Sequence, residues 1–119
     1  MDQQLQLETH MKKLLAIGLT VFVVSAVSAL AGDAKATYDS SCAKCHGADG
    51  KGQTKMGQKL GIKDYTDAKV QDALKDDVAF KSIKEGLKAD DGKTLMKPAE
   101  GLSDDDIKAL VAYMRTFKK

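Results

Sequence analysis

The sequence predicts a small all-α domain. The last segment is the most informative: Ser103 and Asp106 form a Ser-x-x-Asp helix start. The apolar residues that follow recur at helical spacing, at Ile107, Leu110, Val111, Met114 and Phe117. No stretch after residue 31 shows the alternation that is typical of a strand. The chain has 119 residues, which suits one domain with a modest core.

Residues 1–31 are predicted to be an export signal. Met11 and two lysines give a positively charged start, and the uncharged residues 14–31 end in an Ala-Leu-Ala cleavage site. Cleavage there leaves residues 32–119 as the folded domain, and the true start is Met11 rather than Met1 in this interpretation. A retained membrane anchor stays open as the alternative, because the uncharged stretch is just long enough to span a bilayer.

Three further helices are predicted before the last one. The first covers about residues 33–44, and five glycines in residues 47–61 then mark a long irregular loop. A short helix follows Asp67, with inward residues Val70, Ala73 and Leu74. Another opens at Asp76 or Asp77 and ends near Gly86, with inward residues Phe80, Ile83 and Leu87.

The run Cys42-Ala-Lys-Cys45-His46 is the motif that carries chemistry. Two thiols three positions apart lie on one side of a helical turn, where both can add to vinyl groups on one edge of a porphyrin. The imidazole directly after them can then ligate the iron. We therefore predict one haem c, bound covalently by Cys42 and Cys45, with His46 as the proximal ligand of an iron that alternates between Fe2+ and Fe3+.

A redox-active dithiol and a structural zinc site are the alternative interpretations of this motif. A dithiol of the thioredoxin kind would need a strand before the motif and a βαβ pattern around it. Structural zinc needs four ligands, commonly cysteine and histidine, and the whole chain has two of each. His10 is lost if the export signal is removed.

The opposite face of the iron needs a second ligand. After removal of the export signal His46 is the only histidine, so two histidine ligands from this chain are excluded. Met114 lies on the apolar stripe of the last helix, and Met56 lies close to His46 in the glycine-rich loop. Met96, in the irregular segment 89–101, is therefore the predicted distal ligand.

A histidine and methionine pair predicts a one-electron carrier. The neutral thioether favours Fe2+ and raises the reduction potential, and two protein ligands leave little room for a substrate on the metal. With the export signal, this predicts an electron-transfer protein, not an enzyme, in the periplasm. Two alternatives stay open: a haem sensor or peroxidase-like protein whose sixth position is labile or vacant, and a fixed electron-relay subunit of an enzyme complex.

The charge distribution favours protein partners over nucleic acid. The net charge is only +2, and no aromatic residues interleave with basic ones. Five lysines lie in Lys44–Lys63, next to the haem motif, whereas residues 64–77 and 90–106 are rich in acid. The basic segment can steer docking to a redox partner that is acidic at the docking face, or it is simply a solvated surface. We expect a monomer that meets the membrane only through its partners, unless the signal is retained.

On these residues the chain resembles the small class I c-type cytochromes of bacteria, over essentially all of residues 32–119. The features that match are Tyr38, the run Cys42–Gly52, Met96 with Pro98 close behind, and Leu110–Arg115. The resemblance implies a bundle of about four helices wrapped around one covalent haem, with the first and last helices crossing. At that crossing, Ala34 and Tyr38 would pack against Leu110 and Tyr113.

Two features depart from the family pattern. The family usually has proline immediately after the ligand methionine, whereas Lys97 separates Met96 from Pro98 here. Many members also have a proline after the attachment motif whose carbonyl accepts a hydrogen bond from the ligating histidine. The corresponding residues 55–58 contain none, so another backbone carbonyl is the predicted acceptor for Nδ1–H of His46.

Overall fold

Six helices and one short hairpin make up residues 33–119, the part of the chain that this computed structural model describes. The helices are α1 (33–41), α2 (Ala43–His46), α3 (Lys55–Leu60), α4 (Ala68–Ala73), α5 (Asp76–Glu85) and α6 (Asp104–Arg115). Strands β1 (Leu87–Lys88) and β2 (Thr94–Met96) lie between α5 and α6. The predicted export signal lies outside the described residues. Within residues 33–119, no helix combines the length and the apolar character needed to cross a bilayer.

The packing of α1 against α6 forms the centre of the core. Tyr38 of α1 and Leu110 of α6 are each only 1% exposed and belong to one apolar cluster, and Ala34 is buried as well. The centroid of the Tyr38 ring lies 5.3 Å from that of Tyr113 and 5.2 Å from that of Phe117. Both distances are within the range of favourable aromatic pairs. The predicted pairing of Tyr38 with Tyr113 is confirmed.

Helix α6 begins as its sequence predicts. The Ser103 hydroxyl accepts a hydrogen bond from the Asp106 backbone N–H, and the Asp106 carboxylate accepts one from the Ser103 N–H. This reciprocal capping box satisfies two backbone donors at the start of the helix. The apolar stripe faces the core, with Ile107, Leu110 and Val111 buried and Met114 and Phe117 packed against them.

Helix α4 is held to α6 by a buried polar side chain rather than by an apolar face. Gln71 is 3% exposed, whereas Ala73, which the sequence places inward, is exposed. The Gln71 amide donates to the carbonyls of Tyr65 (2.7 Å) and Met114 (2.9 Å) and accepts from Arg115 (2.9 Å). Burial of this amide is tolerated because its donors and acceptor all find partners.

The glycine-rich segment contains a helix, so the prediction of an irregular loop over residues 47–61 is wrong in part. Thr54 caps α3 by accepting a hydrogen bond from Gly57 N, and Gly61 ends it in the left-handed conformation. Gly57 is inside the helix because a Cβ there would lie 2.7 Å from the Cys45 carbonyl oxygen and closer still to that of Gly52. Glycine therefore serves close packing here and does not mark a break.

The segment after α5 forms a hairpin that the sequence did not reveal, because its strands are too short to show alternation. Leu87 pairs with Met96 and Lys88 with Thr94, which leaves Leu95 as an unpaired bulge residue. Leu87, predicted to face inward from a helix, is 45% exposed in β1. At the end of α5, Gly86 has φ +78° and allows the backbone of Met96 and Pro98 to approach closely.

We expect Gly57→Ala to destabilise the protein. In an exposed helix interior this change adds about 1 kcal/mol of stability. Here the new Cβ would overlap the carbonyls of Gly52 and Cys45, so α3 must move away from the attachment segment, at a cost of about 1–3 kcal/mol. Chemical denaturation of the haem-loaded protein measures this, with the exposed Gln58→Ala as the control in the same helix. A Gly57→Ala protein at least as stable as the wild type would contradict the packing.

Candidate functional site

The attachment segment is a single helical turn that continues from α1. The Cys42 N–H donates to the Tyr38 carbonyl (2.8 Å), and the His46 N–H donates to the Cys42 carbonyl (3.0 Å). Cys42, Cys45 and His46 are all half-buried on or beside α2. The two thiols are not joined to each other, and burial raises the pKa of the Cys42 thiol. The structure thus brings together the two cysteines and the histidine of the motif.

Neighbouring groups donate hydrogen bonds to the three successive carbonyls of Cys45, His46 and Gly47. The buried Tyr38 hydroxyl donates to the Gly47 carbonyl (2.7 Å), and the Thr54 hydroxyl donates to the Cys45 carbonyl (2.6 Å). The Gly52 N–H donates to the His46 carbonyl (2.7 Å). These bonds come from elements on both sides of the motif, so they fix the turn at a defined position against α1 and α3.

The His46 imidazole is largely shielded from water. Burial lowers its pKa, which favours the neutral ring, the form that ligates metals. Its Nδ1 atom is buried and has no hydrogen-bond partner among the described residues, so the predicted carbonyl acceptor is not found. The Tyr65 ring lies against the imidazole, with centroids 5.7 Å apart and planes tilted by 33°. Burial also raises the pKa of the Tyr65 phenol.

Met96 is the last residue of β2, and its position is set by α5. The Ala99 N–H donates to the Ile83 carbonyl (2.9 Å), and Gly86 admits the Met96 backbone beside it. The half-buried Met96 side chain packs against the same core cluster as Cys42. Met56, by contrast, is 44% exposed on α3, and Met114 packs within the core from α6.

These residues suit a covalently bound haem. Two unpaired thiols on one turn, a shielded neutral imidazole and a thioether are the donor set that c-type haem requires. Residues 33–119 bring no three His, Cys, Asp or Glu side chains together, so the zinc alternative has no ligand set in this part of the chain. Each strand of the hairpin has one exposed leucine, Leu87 in β1 (45% exposed) and Leu95 in β2 (39% exposed). The two side chains give apolar surface near Met96.

Three residues that sequence reasoning missed support the site. Thr54 was detectable, since a threonine just before a helix is a common cap, but the glycines after it concealed α3. Tyr65 and Gln71 gave no local signal. Their roles depend on contacts with His46 and with α6 that are distant in sequence.

Comparison with known proteins gives consistent results. The sequence model described as "Cytochrome c" matches residues 31–118. Cytochrome c-554(547) of Halothiobacillus neapolitanus is 38% identical over 97 residues, which cover 74% of this chain and 100% of that protein. Cytochrome c-554(548) of Halomonas halodenitrificans is 35% identical over 86 residues, covering 70% of this chain and 94% of the relative.

A solved structure agrees with the sequence relatives. The KustC0563 c-type cytochrome superposes with a TM-score of 0.61 at 34% identity, over 71% of this chain and 96% of its own. The fold, the Cys-x-x-Cys-His motif and these similarities together support one conclusion. The chain belongs to the cytochrome c family, as a monohaem electron-transfer protein with covalently bound haem c and not an enzyme.

Proposed function

We propose that this protein is a periplasmic one-electron carrier, with haem attached through Cys42 and Cys45 and with His46 and Met96 as the axial ligands. One observation supports the choice of Met96: its half-buried side chain and that of Cys42 in the attachment turn pack against the same core cluster, whereas Met56 is exposed on α3. The bound haem would supply the iron that alternates between Fe2+ and Fe3+.

The residues of the chain set how that iron behaves. The neutral imidazole of His46 and the thioether of Met96 add no charge, and a thioether favours the reduced metal. Packing of Met96 and Cys42 against apolar core residues keeps water away from the ligands. If His46 and Met96 both held the iron, they would leave no free position on it for oxygen or peroxide.

The oxidised protein should show the weak far-red sulfur-to-iron absorption band of a haem with a methionine ligand. We expect Met96→Ala to abolish this band. The variant should also bind carbon monoxide in the ferrous state, and its midpoint potential should fall by on the order of 0.1 V, since axial ligands set haem potentials over a range of about 0.8 V. Visible spectroscopy and redox titration measure these changes, and Met56→Ala, at the exposed methionine of α3, is the control. A wild type that itself binds carbon monoxide rapidly would instead favour the sensor or peroxidase-like alternative.

The proposed attachment and export can be read from one mass spectrum. Protein from the periplasm of a host with haem-attachment machinery should have the mass of residues 32–119 plus one haem. In the double variant Cys42→Ala and Cys45→Ala the haem should be extractable with acid and acetone, while Ser41→Ala should retain it. A bare polypeptide from the wild type would contradict attachment, and a mass that includes residues 1–31 would contradict cleavage only.

The proposed partner is a redox protein with an acidic docking face. None of the five lysines within Lys44–Lys63 forms a salt bridge within residues 33–119, and all but Lys51 are exposed. Acidic side chains elsewhere are partly neutralised: Asp72 pairs with Lys118, Asp76 with Arg115 and Asp104 with Lys84. The segment beside the haem motif therefore keeps its positive charge available to a partner, which can raise association rates.

We expect oxidation of the ferrous protein by ferricyanide, an anionic acceptor, to slow as ionic strength rises. The double variant Lys55→Glu and Lys59→Glu should reduce the rate at low salt by about tenfold, within the range of steering effects. Lys69→Glu with Lys108→Glu makes the same change in net charge at exposed lysines outside the basic segment and is the matched control. Equal rates for the two double variants would show that net charge alone, and not this segment, governs the encounter.

A further inference from the structure

Within residues 33–119, no hydrogen bond at Nδ1 fixes the orientation of the His46 imidazole. Metal-bound histidines almost always donate their second ring N–H to a carbonyl, a carboxylate or water, which holds the ring plane. Here Nδ1 is buried and no described residue accepts from it. Among residues 33–119, the contacts that can orient the ring plane are therefore packing contacts.

Tyr65 is the aromatic residue that contacts the imidazole. Its ring centroid is 5.7 Å from that of His46 with a tilt of 33°, which is within the range of offset aromatic contacts. An aromatic ring in contact with the imidazole restricts its rotation about the side-chain bond. No other aromatic ring in residues 33–119 pairs with His46, since the remaining aromatic pairs lie among Tyr38, Tyr113 and Phe117.

Tyr65 is itself fixed on both sides of its backbone. Its N–H donates to the Gly50 carbonyl (2.8 Å), in the loop just after the attachment turn. Its carbonyl accepts from the buried Gln71 amide (2.7 Å), which also donates to Met114 and accepts from Arg115 in α6. The contact between Tyr65 and His46 is thus tied to the terminal helix through Gln71.

We propose that Tyr65 is a positioning residue that fixes the plane of the His46 imidazole, in place of the hydrogen bond that Nδ1 lacks. The inference rests on the proposed function, in which His46 is the proximal ligand. In the oxidised state, the direction of the imidazole plane relative to the porphyrin nitrogens affects how unpaired electron density is distributed over the porphyrin. The chain controls that direction through an aromatic contact and its buried anchor.

Paramagnetic proton NMR of the oxidised, haem-loaded protein tests this. The order and spread of the haem-methyl shifts depend on the orientation of both axial ligands, and an unchanged methionine-methyl signal assigns a change in them to the imidazole. We expect Tyr65→Phe, which keeps the ring, to reproduce the wild-type shifts. Tyr65→Leu should change their order or spread, while the far-red methionine band remains. Tyr113→Leu removes an aromatic contact of similar geometry away from His46 and is the control for general loss of packing.

Unchanged methyl shifts in Tyr65→Leu would overturn the inference. If that variant does not accumulate with haem, Tyr65→Ile, a branched side chain without a ring, decides instead: its methyl shifts should move in order or spread, whereas unchanged shifts would overturn the proposal. A wild-type spectrum without hyperfine-shifted histidine ring protons would show that His46 is not the ligand. That result would overturn the proposed ligation and this inference together. If the histidine signals are present and the methyl shifts are unchanged in the variant, only this inference is overturned.

Discussion

The structure depends on the hydrogen bonds that hold the turn containing Cys42, Cys45 and His46. Three successive carbonyls of this turn, from Cys45 to Gly47, accept from Thr54, Gly52 and Tyr38. The donors come from the helix before the motif and from the loop and helix after it. A turn fixed in this way presents its thiols and its imidazole in one arrangement. Covalent attachment at two points requires that arrangement, because both sulfur atoms must reach one edge of a rigid ring.

Polar groups connect this turn to the far end of the chain. Gln71 is buried, and its amide nitrogen donates to the carbonyls of Tyr65 and of Met114 in α6. Its amide oxygen accepts a hydrogen bond from Arg115. The same guanidinium donates to the carbonyls of Gln71 and Leu74 and to the Asp76 carboxylate. Loss of one member would leave buried partners unsatisfied, so the network specifies one placement of α4 and α5 against α6. In a domain with so few large buried side chains, this polar connection does part of the work of an apolar core.

Sequence reasoning predicted the elements whose signals are local. The capping box and apolar stripe of α6 and the start of α4 after Asp67 agree with the structure. The contact between Tyr38 and Tyr113, which also agrees, was implied by the family resemblance and not by a local signal. It failed where tertiary packing reverses the ordinary meaning of a residue. Gly57 lies inside a helix because two backbones meet there, and Gln71 lies in the core because carbonyls surround it.

The placement of site residues divides in the same way. Spacing alone put Cys42, Cys45 and His46 on one turn, as the structure has them. The choice of Met96 over Met56 as iron ligand stays a prediction; Met96 is half-buried against the core, whereas Met56 is exposed. The neighbours of the imidazole were beyond prediction. Neither the missing acceptor for Nδ1 nor the contact with Tyr65 follows from residues near position 46, because both depend on how a segment nearly twenty positions away folds back.

The hairpin that carries Met96 is held by fewer stabilising contacts than the rest of the domain. Its ladder has two residue pairs, most of its side chains face water, and few backbone bonds such as that from Ala99 to Ile83 tie it to α5. Segments with few buried contacts open at a lower free energy than the whole domain unfolds. If Met96 binds the iron as proposed, local opening of this arm would release the methionine while α1 and α6 stay packed. Amide protons of residues 87–96 would then exchange with solvent well before those of α6. The lifetime of the closed arm would limit the rate at which a small ligand binds the iron.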